Sequence, residues 1–176
     1  YKRQIIWMAE GRKYEEVVLM TASLARLLRQ SISNEDEVVP LAREVEYAKG
    51  YLTIQKMRYK DKLEFEIDVE PSILNIPLIK LVLQPIIENA IYHGLKYKES
   101  KGLLQVKGFM KDGNAVLQVI DNGVGMDEET LSHIYDKHKV NYHSNGVGVY
   151  NVQKRLKLYY GENYGICLLY TSPSPR

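Results

Sequence analysis

The stretch that decides the fold is residues 83–94, which read LQPIIENAIYHG. Apolar residues recur here at helical spacing and, with the residues before them, predict one long helix from Pro77 to the end of the stretch. Pro85 falls inside this predicted helix and is expected to kink it. Asn89 and His93 are four residues apart, so they share one face of an otherwise apolar helix. Buried polar groups need partners, and this segment alone favours a hydrogen-bonded structural Asn89 and a His93 whose hydrogen bonds are satisfied.

A second segment, residues 121–126, reads DNGVGM and directly follows a predicted strand. A carboxylate at the end of a strand, here Asp121, can accept a hydrogen bond from an exocyclic amine such as that of adenine. Gly123 and Gly125 allow the backbone to approach a flat ring closely. An ordinary Asp-Asn-Gly turn is the alternative interpretation, so this segment by itself indicates nucleotide binding only weakly.

The third segment, residues 145–152, reads NGVGVYNV and leads a glycine-bearing loop into a helix. Free N–H groups at the start of a helix bind phosphate, although a glycine hinge before a packed helix is also common. The pair Gly146 and Gly148 lacks the third glycine and the preceding strand of a dinucleotide-binding turn. A Walker-type loop is absent as well. Any nucleotide is therefore expected to bind by another route.

The hydrophobic pattern around these segments predicts an α+β fold with helices layered on a mixed sheet. Two helices, residues 5–32 and a second one opened by Pro40 and running to Tyr59, are expected to form an antiparallel hairpin. Strict alternation over residues 63–69 predicts a strand. Further predicted elements are strands 103–110 and 115–120 joined by a hairpin turn at 111–114, helices 127–135 and 147–160 separated by an irregular polar segment 136–145, and a last strand 165–169.

Composition restricts the function classes. The net charge of +2 gives no reason to expect a nucleic acid or an anionic membrane as the main partner. Cys167 is the only cysteine, which excludes an internal disulfide and a thiolate metal cluster. No apolar run approaches the roughly 20 residues that span a bilayer. Because the chain starts at Tyr1, it is expected to be a fragment, with any membrane span upstream.

The three segments, in this order, resemble the asparagine box and the two glycine boxes of the gyrase, Hsp90, histidine kinase and MutL superfamily. More narrowly, residues 83–94 and the upstream residues 44–59 (EVEYAKGYLTIQKMRY) are similar to sensor kinases of the LytS/YesM type. The similarity extends over residues 5–169. It implies a Bergerat-type fold, a two-layer α/β sandwich with a mixed sheet under helices, preceded by a helical hairpin. The implied division is a hairpin at 1–60, an ATP-binding catalytic domain at 61–169 and a disordered or foreign tail at 170–176.

The resemblance also implies roles for individual residues. Asn89 would hold Mg²⁺ through its side-chain oxygen, Asp121 would bind the adenine amine, and Glu88 would orient the metal's water or assist the incoming imidazole. Lys137, in the expected lid, would neutralise phosphate charge, with a solvated polar loop as the alternative. The other residues implied to bind ATP are His93, Lys96, Gly123, Gly125, Asn145, Gly146 and Gly148.

The resemblance favours a kinase over an ATPase. The superfamily's ATPases carry a water-activating glutamate one helical turn before the metal asparagine, and Pro85 occupies that position here. The kinases of this type carry their acceptor histidine in a His-Phe-Leu-Tyr-Asn segment before the first helix. This chain has four histidines, and the first of them is His93. The acceptor is therefore expected outside this fragment, and autophosphorylation is not expected in isolation.

Three alternatives stay open: a non-catalytic ATP-sensing module, an ATPase of the same superfamily, and a helical interaction module with a vestigial pocket. The partners implied by the resemblance are the phosphoacceptor helix of the same kinase, a cytoplasmic response regulator and a second copy in a homodimer. No nucleic acid partner is expected. The resemblance further implies a membrane-anchored bacterial parent that contacts the membrane only through other segments, with this part in the cytoplasm.

Overall fold

The computed structural model describes residues 2–32, 37–95, 98, 100–125 and 147–169. Within these ranges the helices are α1 (Lys2–Glu10), α2 (Tyr14–Ile32), α3 (Leu41–Tyr59), α4 (Leu83–Asn89) and α5 (Val147–Tyr160). The strands are β1 (Val38–Pro40), β2 (Leu63–Val69), β3 (Pro77–Ile79), β4 (Gly102–Lys111) and β5 (Asn114–Asp121). No helix in these ranges is long and apolar enough to cross a membrane.

The main sheet has the strand order β2-β4-β5 and is mixed. β2 pairs in parallel with β4, from Leu63 opposite Gly102 onwards, and β4 pairs antiparallel with β5. The hairpin turns at Asp112 and Gly113, which both have positive φ, as a tight two-residue turn between twisted strands requires. The predicted strands at 63–69, 103–110 and 115–120, the predicted turn and the α+β class with a mixed sheet are confirmed.

Helices α3 and α4 cover the inner face of this sheet. The shared core contains Ala48 and Leu52 of α3, Ile87 of α4, and Leu104 and Val106 of β4. Apolar burial is the main favourable contribution to folding. The packing of α3 against α4 and β4 therefore stabilises the same layer that carries residues 83–94. The predicted division of the chain at residue 60 stays a prediction.

The N-terminal helices depart from the predicted single helix over residues 5–32. α1 ends at Glu10 and α2 begins at Tyr14. Arg12 between them has φ of 55°, and the N–H of Lys13 donates to the carbonyl of Met8 at 2.9 Å, a helix-ending bond pattern. The prediction of one continuous helix is therefore wrong. The second helix and the helical hairpin are confirmed, since α2 lies beside α3.

The predicted helix from Pro77 to Gly94 is wrong in its first part. Pro77–Ile79 is strand β3, which pairs antiparallel with β1, and α4 begins only at Leu83. Pro85 is then the third residue of the helix, a position whose N–H has no intrahelical acceptor, so the predicted kink has no cause. After α4 the chain continues as a π-helical turn, Ala90–Leu95, a form often found at functional sites.

Helix α5 is confirmed, and its far end is tied to β3. The Tyr160 hydroxyl accepts a hydrogen bond from the N–H of Ile79 at 3.0 Å and donates to the carbonyl of Pro77 at 3.3 Å. Burial raises the pKa of Tyr160 further above neutral pH, and the protonated phenol is available as a donor.

The predicted strand at 165–169 is wrong, since these residues form no strand ladder with the described part of the chain. The N–H of Ile166 instead donates to the Gln153 side chain, so a side chain of α5 takes the bond that a neighbouring strand would accept. The predicted helix 127–135, the segment 136–145 and the tail 170–176 lie outside the described residues.

Candidate functional site

The candidate site lies where the π-helical turn meets the end of β5. The N–H of Val124 donates to the carbonyl of Gly94 at 3.0 Å. A Cβ at Gly123 would lie 2.4 Å from the Cα, C and O atoms of Gly94, which is closer than real Cβ atoms come. Only glycine fits at position 123 without moving backbone. We call this backbone approach the Gly94–Gly123 contact; it joins the first and second sequence segments directly.

Asp121 is the last residue of β5, and its carboxylate lies over Gly94. A Cβ at Gly94 would be 2.4 Å from the Asp121 Oδ1 atom. The same oxygen accepts a hydrogen bond from the N–H of Gly123 at 2.8 Å, which fixes the side chain. An ionised carboxylate has about four lone-pair sites on its two oxygens, so this bond leaves capacity to accept from a ligand. Asp121 is exposed to solvent, as a ligand-binding group must be.

The polar residues of the first segment lie along the helix that leads into this contact. Asn89 is the last residue of α4, and His93 lies in the π-helical turn just before Gly94. Both side chains are half-buried. Glu88 is also half-buried, and its Oε1 accepts a hydrogen bond from Gln84 Nε2 at 2.9 Å. This bond holds the Glu88 carboxylate along the helix surface; its catalytic role stays a prediction.

The third segment also contacts the first. A Cβ at Gly148, in the first turn of α5, would lie 3.3 Å from the Cβ of Pro85, so the absence of a side chain lets α5 begin close beside α4. The second glycine of the 121–126 segment, Gly125, has φ of 76°, a conformation that favours glycine. The structure thus places 83–94 against both glycine segments. The remaining predicted residues, Lys96, Lys137, Asn145 and Gly146, lie outside the described residues.

Sequence reasoning gave no role to one residue that positions the site. Glu44 of α3 is 2% exposed, and its carboxylate accepts from the N–H groups of Leu81 at 2.8 Å, Val82 at 2.9 Å and Leu83 at 3.1 Å. Val82 is the N-cap residue of α4 and Leu83 is its first residue, so the N–H groups of both lack intrahelical partners. One signal was available: Glu44 falls on the buried stripe of α3 with Leu41 and Ala48, where a carboxylate requires donors.

The family comparison decides what this arrangement is. Residues 75–171 match the family model described as histidine kinase-, DNA gyrase B-, and HSP90-like ATPase. The chain belongs to this ATPase family. Residues 3–63 match a second family model, described as histidine kinase. The predicted resemblance is therefore confirmed, and with it the prediction that the chain carries the ATP-binding domain type of sensor histidine kinases.

Individual relatives agree with the family. The chain is 30% identical over 162 residues to the sensor histidine kinase YesM of Bacillus subtilis, covering 92% of this chain and 27% of that protein. It is 34% identical over 143 residues to the sensor protein LytS of Oceanobacillus iheyensis, covering 80% of this chain and 24% of that protein. The chain therefore spans only about a quarter of the length of these relatives.

A solved structure supports the fold. The histidine kinase domain of the blue-light activated histidine kinase from Erythrobacter litoralis EL346 superposes with a TM-score of 0.50 at 14% identity. The match covers 80% of this chain and 65% of that one. At this identity the likeness shows a shared fold.

Proposed function

We propose that this chain is the ATP-binding catalytic part of a two-component sensor histidine kinase and transfers the γ-phosphoryl group of ATP to a histidine outside the chain. The observation that carries the proposal is the Gly94–Gly123 contact. It joins the asparagine-bearing helix to the turn that carries Asp121, so the groups expected to bind the two ends of ATP are held by one rigid junction.

The adenine end of the site is proposed at the end of β5. Asp121 would accept a hydrogen bond from the exocyclic amine, and the side-chain-free backbone at Gly123 and Gly125 would lie under the ring. The bond from Gly123 N–H to Asp121 Oδ1, at 2.8 Å, supports this role because it fixes the carboxylate before a ligand arrives. A preorganised acceptor of this kind gives affinity because less conformational freedom is lost on binding.

The phosphate end is proposed along the asparagine-bearing helix and the start of α5. Asn89 is half-buried and offers a neutral amide oxygen. Oxygen ligands of this kind suit a hard cation such as Mg²⁺. When bound, the ion would neutralise charge on the phosphates. His93 and Lys96 are proposed to contact the phosphate tail. Lys137, Asn145, Gly146 and Gly148 are proposed for the loop that closes over it, and Glu88 for assistance to the incoming imidazole.

Asn89→Ala is expected to remove the Mg²⁺-dependent part of ATP binding. Loss of one metal ligand is expected to lower the affinity for Mg-ATP by about tenfold or more, while the affinity for ATP in chelator stays unchanged. Titration calorimetry with and without Mg²⁺ measures both values. Asn151→Ala, at an exposed position of α5, is the matched control and is expected to bind like the wild type. Equal Mg-ATP affinity in the Asn89 variant and the wild type would refute the assigned role.

Phosphoryl transfer fits the site better than hydrolysis. Pro85 stands one turn before Asn89 and has no base to activate water. Transfer to a histidine needs mainly positioning and charge neutralisation, since neutral imidazole is already a nucleophile. A non-catalytic ATP sensor is the second candidate, because it would use the same Asn89 and Asp121. Label transfer from γ-labelled Mg-ATP to a separately supplied acceptor segment separates the two: a sensor binds ATP and transfers nothing.

A homodimer through the helical region is part of the same proposal. Five residues of α2 recur with alternating spacings of four and three, and all of them are exposed: Tyr14, Val18, Thr21, Ala25 and Leu28. This is the seam spacing of packed helices. Tyr14, Val18 and Leu28 are 65%, 68% and 53% exposed, so a second copy packed here would bury a continuous apolar stripe.

Val18→Glu is expected to weaken this dimer by at least about tenfold, because a charge would enter the apolar seam. Light scattering over a dilution series measures the dissociation constant. Leu19→Glu is the matched control: Leu19 is 50% exposed on the same helix but lies off the stripe. A wild-type chain that stays monomeric at every concentration, or equal effects of the two variants, would contradict the proposed seam.

For the whole parent protein, we propose a membrane anchor outside this chain, a cytoplasmic location for this part, and transfer of the phosphoryl group onward to a response regulator. The sensor kinases to which the chain is similar support this assignment. Fractionation of cells that express the full-length protein tests the anchor, since recovery in the soluble fraction would contradict it.

A further inference from the structure

Asn122, between Asp121 and Gly123, has a hydrogen-bond partner for each of its polar groups. Its N–H donates to the carbonyl of Leu103 at 3.2 Å, and its Oδ1 accepts from the N–H of Leu103 at 2.8 Å. Its Nδ2 donates to the carbonyl of Lys101 at 3.4 Å. Its own carbonyl accepts from the Lys98 ammonium. All four polar groups of Asn122 are thus bonded to the chain segment 98–103.

These bonds constrain the direction of the neighbouring carboxylate. Both peptide bonds that flank Asn122 are held, one through its N–H and one through its carbonyl, so the backbone on either side of the residue has little freedom to rotate. Asp121 precedes the first of these peptides. Asp121 and Asn122 are both exposed to solvent, so burial does not hold them in place. The hydrogen bonds to residues 98, 101 and 103 therefore fix the conformation of the turn.

We propose that Asn122 and Lys98 form a clamp that positions Asp121 for adenine recognition. The inference rests on the proposed ATP site and adds two residues that are not expected to touch the nucleotide. Asn122 is a positioning residue: it acts on the base through Asp121, and Lys98 supports it by holding the carbonyl between Asn122 and Gly123. Lys98, which follows the π-helical turn, thereby contributes indirectly to the recognition of the base.

The test compares ATP with inosine triphosphate, which carries a carbonyl oxygen in place of the exocyclic amine. Wild-type protein is expected to prefer ATP, and Asp121→Ala to remove the preference. Asn122→Ala and Lys98→Met are expected to reduce the ATP/ITP affinity ratio, Asn122→Ala by about tenfold, with little change in the affinity for ITP. In an Asp121→Ala background, Asn122→Ala is expected to have no further effect on the ratio.

Asn114→Ala is the matched control. Asn114 starts the same strand, and its Nδ2 donates to the carbonyl of Asp112 at 3.2 Å, so its removal also deletes a side-chain bond at a turn of β5. It is expected to keep the wild-type ratio. Thermal melting of each variant checks folding, and Lys98→Met carries the test if Asn122→Ala does not fold.

The outcomes distinguish an error in the proposed adenine site from an error in the proposed clamp. If wild-type protein does not distinguish ATP from ITP, the adenine site itself is wrong and the clamp falls with it. If Asp121→Ala abolishes the preference while Asn122→Ala and Lys98→Met retain it, only the clamp is wrong. Equal loss of ATP and ITP affinity in the Asn122 variant shows a general structural role and likewise overturns the clamp.

Discussion

Gly123→Ala is expected to lower ATP affinity by about 100-fold, which corresponds to nearly 3 kcal/mol. The added methyl group would lie 2.4 Å from the Cα, C and O atoms of Gly94. Backbone atoms cannot rotate aside as a side chain can, so the turn and the π-helical segment must separate. Separation breaks the bond from Val124 N–H to Gly94 carbonyl, 3.0 Å long, and moves Asp121. Overpacking of this kind also destabilises the fold by about 1–3 kcal/mol.

Substitutions at two other glycines serve as comparisons for Gly123→Ala. Gly94→Ala would press its methyl group on the Asp121 carboxylate. Displacing this side chain breaks its bond to Gly123 N–H but moves no backbone, so affinity should fall with less loss of stability. Gly50→Ala meets no atom within 4 Å in the middle of α3. It is expected to stabilise the protein by roughly 0.5–1 kcal/mol and to leave ATP binding unchanged. Wild-type affinity in the Gly123 variant, measured by titration calorimetry on folded protein, would contradict the Gly94–Gly123 contact.

Glu44→Ala is expected to cost about 3 kcal/mol of unfolding free energy. Buried donors left without an acceptor cost about 1–3 kcal/mol each, and the Glu44 carboxylate serves the N–H groups of Leu81, Val82 and Leu83. Water entry at the half-buried Leu81 end of this turn should recover part of this energy. Because these donors open α4, the helix start is expected to fray, and ATP affinity to fall with it. Urea unfolding, followed by circular dichroism, gives the stability difference.

Glu46→Ala is the matched control for this prediction. Glu46 lies two residues further along α3 and is exposed, so its removal should change stability by no more than about 1 kcal/mol, the upper range for an exposed charged contact. Glu44→Gln keeps one oxygen acceptor and is expected to fall between the wild type and the alanine variant. If Glu44→Ala and Glu46→Ala unfold at the same urea concentration, Glu44 does not hold the start of α4.

The strands and the site differ in how far local sequence predicts them. Strand β2 is predictable because apolar and charged residues alternate strictly over Leu63–Val69, a pattern typical of a strand in a sheet with one buried face. The start of α4 is not predictable from local sequence, because Pro77–Ile79 pairs with β1 and Glu44 caps the helix. Both partners, β1 and Glu44, lie far earlier in the chain. A local apolar run cannot reveal such partners. The same limit explains the break between α1 and α2, where apolar spacing continues across Arg12.

Within the site, the three segments were predictable as candidates, but their contacts were not. Asp121 and Gly123 resemble an ordinary turn until Gly94 is seen against them. Their assignment to one site depended on the resemblance to a family, since no periodicity in the sequence places residue 94 beside residue 123. Local sequence does not single out Asn122, because its bonds run to residues 98, 101 and 103, which the pairing of β4 with β5 brings beside it.

The most direct test of the kinase assignment is phosphoryl transfer in trans. The chain is incubated with γ-labelled Mg-ATP and the acceptor-histidine segment of the YesM relative, beside Asp121→Ala and Asn89→Ala variants. The kinase assignment predicts an acid-labile, alkali-stable label on the acceptor segment with the wild-type chain, and at most about a tenth as much with either variant. Wild-type chain that binds Mg-ATP but leaves the acceptor histidine unlabelled would contradict the kinase assignment and leave a nucleotide sensor.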